Sequence, residues 1–318
     1  MASLQSTERW FFIVNPVAGN GKARQKWLKY LPLLERELGE LDWVYTKRKG
    51  HAITLAQEAI RQGYQKIVAV GGDGTNNEVI NGIFQQGEKR KALLYTLLPV
   101  GTGNDWIRTH HIPRKIERWI AMVKRGHTIS HDVGVVYYQR DGIPCKRFFI
   151  NIAGLAYDAY VVRFTGKYRS WVASKFFYLL LTLVLLFAYR FSKARVVTDQ
   201  QTTEGMFYTI NVGICRHSGG GMQLVPHAVP DSGTFALTLA RKMSRLSVLL
   251  NTPRFYNGRI GAHPKVTLSH STELQVETTA GPPLMVEVDG EWLGYTPATF
   301  IILKGALKVI VDGAREVT

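Results

Sequence analysis

The sequence predicts two domains: an α/β N-terminal domain with a parallel sheet, then a mainly antiparallel β-sandwich C-terminal domain. Three observations predict this. Over residues 1–126 apolar strand-like runs alternate with amphipathic helical patterns, as strands joined by crossover helices must. Over residues 127–318 β-type runs follow one another, separated by turn signals such as Asp141-Gly142, Gly281-Pro282-Pro283 and Asp289-Gly290. The chain's 318 residues are enough to build two cores. The last β run is left open to return to the first domain.

Taken in order, residues 9–14 read as the first strand and Asn15 to Gly21 as a glycine-containing loop. Lys22 to Leu38 read as a helix that Pro32 should kink or end early. A second strand, Leu41 to Thr46, leads through a basic turn into a helix from Ala52 to Arg61. Strand 67–70 meets Gly71-Gly72-Asp73-Gly74-Thr75, and the helix that follows sets Val79, Ile80, Ile83 and Phe84 on one face. Strand 93–98 ends in Gly101-Thr102-Gly103-Asn104-Asp105, and Arg114 to Arg125 form another helix. Beyond residue 127 the β runs are 128–138, 146–153, 194–199, 206–215, 234–240, 266–278, 284–289 and 300–311. Two helices interrupt them, 155–164 and 171–189.

Phe176 to Tyr189 contains no charge. As a helix it spans roughly 21 Å, short of a hydrocarbon core of roughly 30 Å. It is either a buried core helix or a surface helix whose basic flanks sit on anionic headgroups. The net charge of +16 points to an acidic partner, nucleotide phosphates or an anionic membrane surface. Nucleic acid is not expected, because the basic residues are scattered rather than arrayed with aromatics. Two cysteines without a CxxC spacing suggest neither a disulfide framework nor a zinc site and fit a reducing cytoplasm. The first residues lack the basic-then-apolar pattern of a secretory signal.

Three strands thus end in small-residue polar turns. In an open α/β sheet such turns line up along one edge, where ligands bind. Glycines there let a phosphate approach bare N–H groups at a helix N-terminus. The stretches Asn15-Pro-Val-Ala-Gly19, Gly71-Gly-Asp-Gly-Thr-Asn-Asn-Glu78 and Pro99-Val-Gly-Thr-Gly-Asn-Asp105 together resemble the diacylglycerol kinase catalytic domain. Gly219-Gly-Gly221, Pro226-His-Ala228 and Val288-Asp-Gly-Glu291 extend the resemblance over nearly the whole chain.

The resemblance implies a fold like that of NAD kinases and phosphofructokinases in the first domain. It also implies an ATP- and Mg²⁺-dependent kinase that phosphorylates a lipid hydroxyl, diacylglycerol first among the candidates. The ATP-binding positions it carries over are Asn15, Pro16, Val17, Ala18, Gly19, Thr46, Gly72, Asp73, Gly74, Thr75, Asn76, Asn77, Glu78 and Thr102. Asp73 and Asp105 suit a water-mediated link to Mg²⁺. Asp289 falls on the family's catalytic base, with Glu291 placed to orient it or to raise its pKa by like charge; a plain hairpin turn is the other reading of the same residues. The family often has Asp-Asp-Gly where this chain has Asp231-Ser232-Gly233, so either Asp231 alone holds a structural Mg²⁺ or the ion is missing. The implied setting is cytoplasmic and peripheral to an anionic membrane, with a homodimer left open. A sphingoid base, a water-soluble acceptor and a non-catalytic nucleotide sensor remain as alternatives.

Overall fold

The computed structural model describes residues 9–87, 93–167 and 175–313, and the chain divides into two units. Unit 1 is Met1–Val133 with Lys304–Thr318, and unit 2 is Gly134–Leu303.

Unit 1 begins with β1 (Trp10–Val14), α1 (Ala23–Leu38), β2 (Leu41–Tyr45), α2 (His51–Arg61), β3 (Lys66–Gly71), α3 (Asp73–Phe84), β4 (Leu94–Pro99), α4 (Trp106–Thr109) and α5 (Ile116–Arg125). Strand β1 pairs in parallel with β2 and β3, and β3 in parallel with β4. Phe12, Ile13, Ile67, Val68, Ala69 and Leu97 are fully buried in this sheet, which is why its strands read as continuous apolar runs. Helix α1 continues through Pro32, where a kink or an early end was expected. Helix α3 is buried from Thr75 to Phe84, Asn76 and Asn77 included.

The remaining elements are β5 (Thr128–Arg140), β6 (Ile143–Phe149), β7 (Ile152–Ala156), α6 (Tyr157–Lys167), α7 (Lys175–Ala188), β8 (Lys193–Thr198), β9 (Thr202–Gly213), β10 (His217–Ser218), β11 (Met222–Gln223), β12 (Phe235–Arg241), α8 (Arg245–Tyr256), β13 (Val266–Ser271), β14 (Glu273–Ala280), β15 (Met285–Val288) and β16 (Glu291–Ile310). In unit 2, β13, β12, β9, β7, β15 and the first part of β16 form consecutive antiparallel pairs, and β14 joins β16 to β8. The far end of β16 belongs to unit 1, where Lys308 and Val309 pair in parallel with Leu94 and Tyr95 of β4.

Four local readings differ from expectation. The run 146–153 is two strands, because the N–H groups of Ile150, Asn151 and Ile152 turn to the Asp289 carboxylate instead of continuing a ladder. The run 266–278 is also two, broken at Thr272, whose N–H and hydroxyl both donate to Asp199. The helix expected from residue 155 begins at Tyr157, after Ala156 at a left-handed φ of 68°. The fourth is α8, which was not expected as a helix. Its mixed composition and internal Pro253 hide it, although Ser244 caps it by accepting from the Ser247 N–H at 3.1 Å. The part of the 171–189 expectation before Lys175 lies outside the described residues.

Candidate functional site: the phosphate-side turns and the acidic hairpin

In unit 1 the three glycine turns form one structure. The Asn15 N–H donates to the Val70 carbonyl at 2.9 Å, which sets the β1 turn against the end of β3. The N–H groups of Val100 and Gly101 both donate to the Gly71 carbonyl at 2.9 Å, which sets the β4 turn on the other side. Thr46 donates through its N–H to Val14 at 2.8 Å, so the end of β2 joins the same edge. Glycine is a steric requirement here. A Cβ on Gly101 would stand 2.7 Å from the Gly72 Cα, and one on Gly19 would stand 2.4 Å from the Val100 carbonyl oxygen. A Cβ on Gly74 meets nothing within 4 Å, so the turn opens outward at that point. The first-turn N–H groups of α3 have no acceptor inside their helix, the usual provision for an anion.

The side chains expected on the nucleotide divide into two sets. Asn15 donates its side-chain amide to Thr75 at 2.9 Å and accepts from the Val17 N–H, so these residues brace the turn. Val17 and Thr102 are exposed at the turn tips, with Pro16, Ala18 and Gly19 between β1 and α1. Asn76, Asn77 and Glu78 turn inward. Asn76 accepts from the Tyr95 hydroxyl, Asn77 accepts from the Asn81 amide, and Glu78 accepts from the N–H groups of Gly50 (2.8 Å) and Ala52 (3.3 Å), capping α2.

Asp73 joins two turns: its carboxylate accepts from the N–H groups of Asp105 (3.2 Å) and Trp106 (3.3 Å) at the start of α4. Burial, then the Asp105 carboxylate, push the Asp73 pKa above the usual carboxylate range, against the pull of those N–H donors. A divalent cation between the two acids would relieve that repulsion, so the donor set fits Mg²⁺, which needs only one or two carboxylates. Two cations went unnoticed in the sequence. Arg108 lies 3.3 Å from Asp105, and Arg114 donates to the Gly103 carbonyl at 2.9 Å. The i, i+3 spacing of Asp105 and Arg108 was legible; the reach of Arg114 was not.

In unit 2, Asp289 sits in the turn between β15 and β16 at a left-handed φ of 49°. Its carboxylate accepts three backbone N–H bonds, from Ile150, Asn151 and Ile152, at 3.1–3.2 Å. Glu291 forms an ion pair with Arg147 at 3.2 Å, and Glu287 accepts from the Gly290 N–H at 2.9 Å. Behind this hairpin Glu287 and Asp158 converge on Gly154. A Cβ there would stand 2.7 Å from the Glu287 carboxylate and 2.4 Å from that of Asp158, so only glycine leaves them room. Burial raises the Asp158 pKa to about 6 despite a 2.8 Å bond from Asn211, and it pushes Glu287 well above the carboxylate range. Asp231 lies in the turn before β12. The neighbouring Ser232 hydroxyl donates to the Thr234 carbonyl at 3.1 Å.

A glycine-turn edge on an α/β unit with a parallel sheet, followed by a β-rich second unit, is a fold of the NAD kinase-like kind. Comparison with known proteins gives the family. Residues 9–136 match the diacylglycerol kinase catalytic domain, and residues 152–311 match the YegS C-terminal NAD kinase beta sandwich-like domain. The chain belongs to the diacylglycerol kinase catalytic-domain family, whose members are ATP-dependent lipid kinases. It is 29% identical to a diacylglycerol kinase of Staphylococcus haemolyticus over 93% of this chain and 86% of the relative. A Staphylococcus carnosus diacylglycerol kinase is 27% identical, over 93% of each. Among solved structures, a diacylglycerol kinase of Bacillus anthracis superposes with a TM-score of 0.71 at 22% identity, over 96% of this chain and 97% of that one. Yeast NADH kinase superposes with a TM-score of 0.54 at 9% identity, over 96% and 84%, a likeness of fold.

Proposed function

We propose that this kinase transfers the γ-phosphate of ATP to the free hydroxyl of diacylglycerol at the cytoplasmic face of an anionic membrane. The observation that carries the donor half is the single glycine edge formed by the β1, β3 and β4 turns, open at Gly74 in the first turn of α3. The acceptor half rests on the family and on relatives that carry the name diacylglycerol kinase.

In this reading Gly72, Asp73, Gly74 and Thr75 offer main-chain N–H groups to the phosphates. Asn15 braces Thr75, while Asn76, Asn77 and Glu78 support the turn from inside. Pro16 to Gly19, Thr46 and Thr102 border the nucleotide. Mg²⁺ entering with ATP would be held by Asp73 and Asp105 and would neutralise phosphate charge. Asp289 takes the proton of the acceptor hydroxyl as that oxygen bonds to the γ-phosphorus and ADP leaves. The three N–H donors fix where its carboxylate stands, and the Arg147–Glu291 pair borders the same turn.

The test is transfer of radiolabelled phosphate from ATP into a panel of lipids in mixed micelles, with and without chelation of Mg²⁺. Label in diacylglycerol that chelation abolishes is the expected result. Label in a sphingoid base instead would replace the acceptor, and tight ATP binding without label in any lipid would sink the lipid-kinase reading.

A further inference from the structure

Two neighbouring helices of unit 2 carry apolar side chains on the side that faces water. On α7, Leu180, Val184 and Phe187 recur at spacings of four and three and are 47%, 58% and 58% exposed. The opposite side of the same helix buries Leu185 and Leu186. A helix apolar on all sides is ordinarily one that is buried on all sides. On α8, Leu246 and Leu250 are 64% and 71% exposed, while Val248 and Phe255 are buried. The helices meet where Arg245, the first residue of α8, donates to the Phe187 carbonyl at 2.8 Å and stacks 5.3 Å from the Phe187 ring. The two exposed stripes are therefore neighbours.

The charge around them is one-sided. Between Lys175 and Arg195, and again between Lys242 and Arg259, the chain has no Asp or Glu, and each stretch has four Lys or Arg. Lys193 and Arg195 pair with Glu204 on the strands. Arg190, Arg245 and Arg254 make no ion pair among the described residues. Apolar stripes with unneutralised arginines beside them match an anionic bilayer surface, where the apolar side enters the acyl boundary and the cations meet phosphate. The 14 residues of α7 are too short to cross, and no helix among the described residues is long and apolar enough to do so.

We infer that α7 and α8 together form a membrane-docking face that lies in the plane of an anionic bilayer, with Leu180, Val184, Phe187, Leu246 and Leu250 inserted. The inference deepens the lipid-kinase reading by naming the surface through which the enzyme reaches a bilayer-bound acceptor, and it rests on that reading for its purpose. Helix α8 is the part no property of the α7 sequence foretells: it doubles the inserted surface and supplies two of the three arginines.

The test is co-sedimentation of the full chain with vesicles of phosphatidylcholine alone or mixed with phosphatidylglycerol. Wild type should bind the mixed vesicles, and salt should weaken the binding. Phe187→Ser with Leu250→Ser should weaken it at least about tenfold, and Arg190→Gln with Arg254→Gln should weaken it mainly at low salt. Thermal unfolding equal to wild type shows that each variant is folded. Turnover of a diacylglycerol with chains short enough to be monomeric in water should stay unchanged in both variants while turnover of vesicle-bound diacylglycerol falls. Equal vesicle binding by folded variants and wild type overturns the proposal. So does a wild-type dimer in solution that the Phe187→Ser, Leu250→Ser variant splits, because a second copy would then be the occupant. Vesicle binding that the variants lose, in an enzyme that phosphorylates no diacylglycerol in either form, supports the docking face and sinks the acceptor reading alone.

Discussion

Asp73-Gly74 in unit 1 and Asp289-Gly290 in unit 2 look alike on the page, each an acid and a glycine at the end of an apolar strand. The structure uses them in opposite ways. Asp73 accepts from main-chain N–H groups that belong to the next turn, and beside it Gly74 has open space where a Cβ would stand. Asp289 draws in the N–H groups of a distant strand junction and so holds unit 2 together at Ile150 to Ile152. In the first turn the proposed ligand-facing chemistry is main chain and the side chain is support. In the second the side chain is both the support and the candidate base. With Asp289 as the proposed base, a substitution there should disturb fold and turnover together, while most substitutions at the unit 1 turns should disturb one alone.

The largest expected effect comes from breaking the second turn. Asp289→Asn should lower kcat by about 10²–10⁴-fold, the usual share of a general base, with the Kd for ATP within about twofold of wild type. It should also destabilise the protein by about 2 kcal/mol, because an amide nitrogen replaces an oxygen that accepts buried N–H bonds. Urea unfolding and isothermal titration read the two separately. Unchanged turnover would remove Asp289 from catalysis and leave it a structural residue only.

Next in size is the first turn. Gly101→Ala places a methyl 2.7 Å from the Gly72 Cα and should weaken ATP binding by about tenfold or more, with the lipid KM unchanged. Gly74→Ala has room for its methyl within the protein, so any loss of ATP affinity there reports the ligand's own approach to the turn. If both variants bind ATP like wild type, the glycine edge is not the phosphate site.

The buried acids behind the second turn give a pH signature. Asp158 has a folded pKa of about 6, above its unfolded value, so its contribution to stability is fully present below pH 4 and is lost as pH rises through 6. Glu287 is raised as well and extends the loss to higher pH. Asp158→Asn should flatten the urea midpoint between pH 4 and 7 and stabilise the protein at pH 7 by on the order of 2–3 kcal/mol. An unchanged pH profile would mean that the carboxylates are not buried together over Gly154.

The smallest effect is expected at Glu78. Glu78→Gln keeps the shape but weakens the cap of α2, so it should cost about 1 kcal/mol of stability while the KM for ATP moves little. A tenfold rise in that KM would place Glu78 on the nucleotide rather than on α2.

Much of the unit 1 edge was legible because its signals are local. A strand run, a glycine turn and a helical pattern lie within about 20 residues, and sterics at Gly19 and Gly101 demand the residue type the sequence carries. The destination of each side chain was not legible. Helical periodicity puts Glu78 on α3 but does not say that α2 arrives with bare N–H groups at Gly50 and Ala52. Helix α8 escaped because its exposed side mixes Leu246 and Leu250 with Arg245 and carries Pro253, so no clean polar-out periodicity appears. Its one clear signal was the Ser244 cap.

The sequence by itself determined the family, the glycine turns and the acid at position 289, since spacing along one chain carries those. Only the tertiary structure decided that Asp289 closes on Ile150 to Ile152, that Glu291 meets Arg147, that Asp158 and Glu287 share the space over Gly154, and that α8 lies beside α7. Each of these joins residues tens to more than a hundred positions apart, and such pairs are chosen by packing, burial and hydrogen-bond demand, none of which a local pattern records.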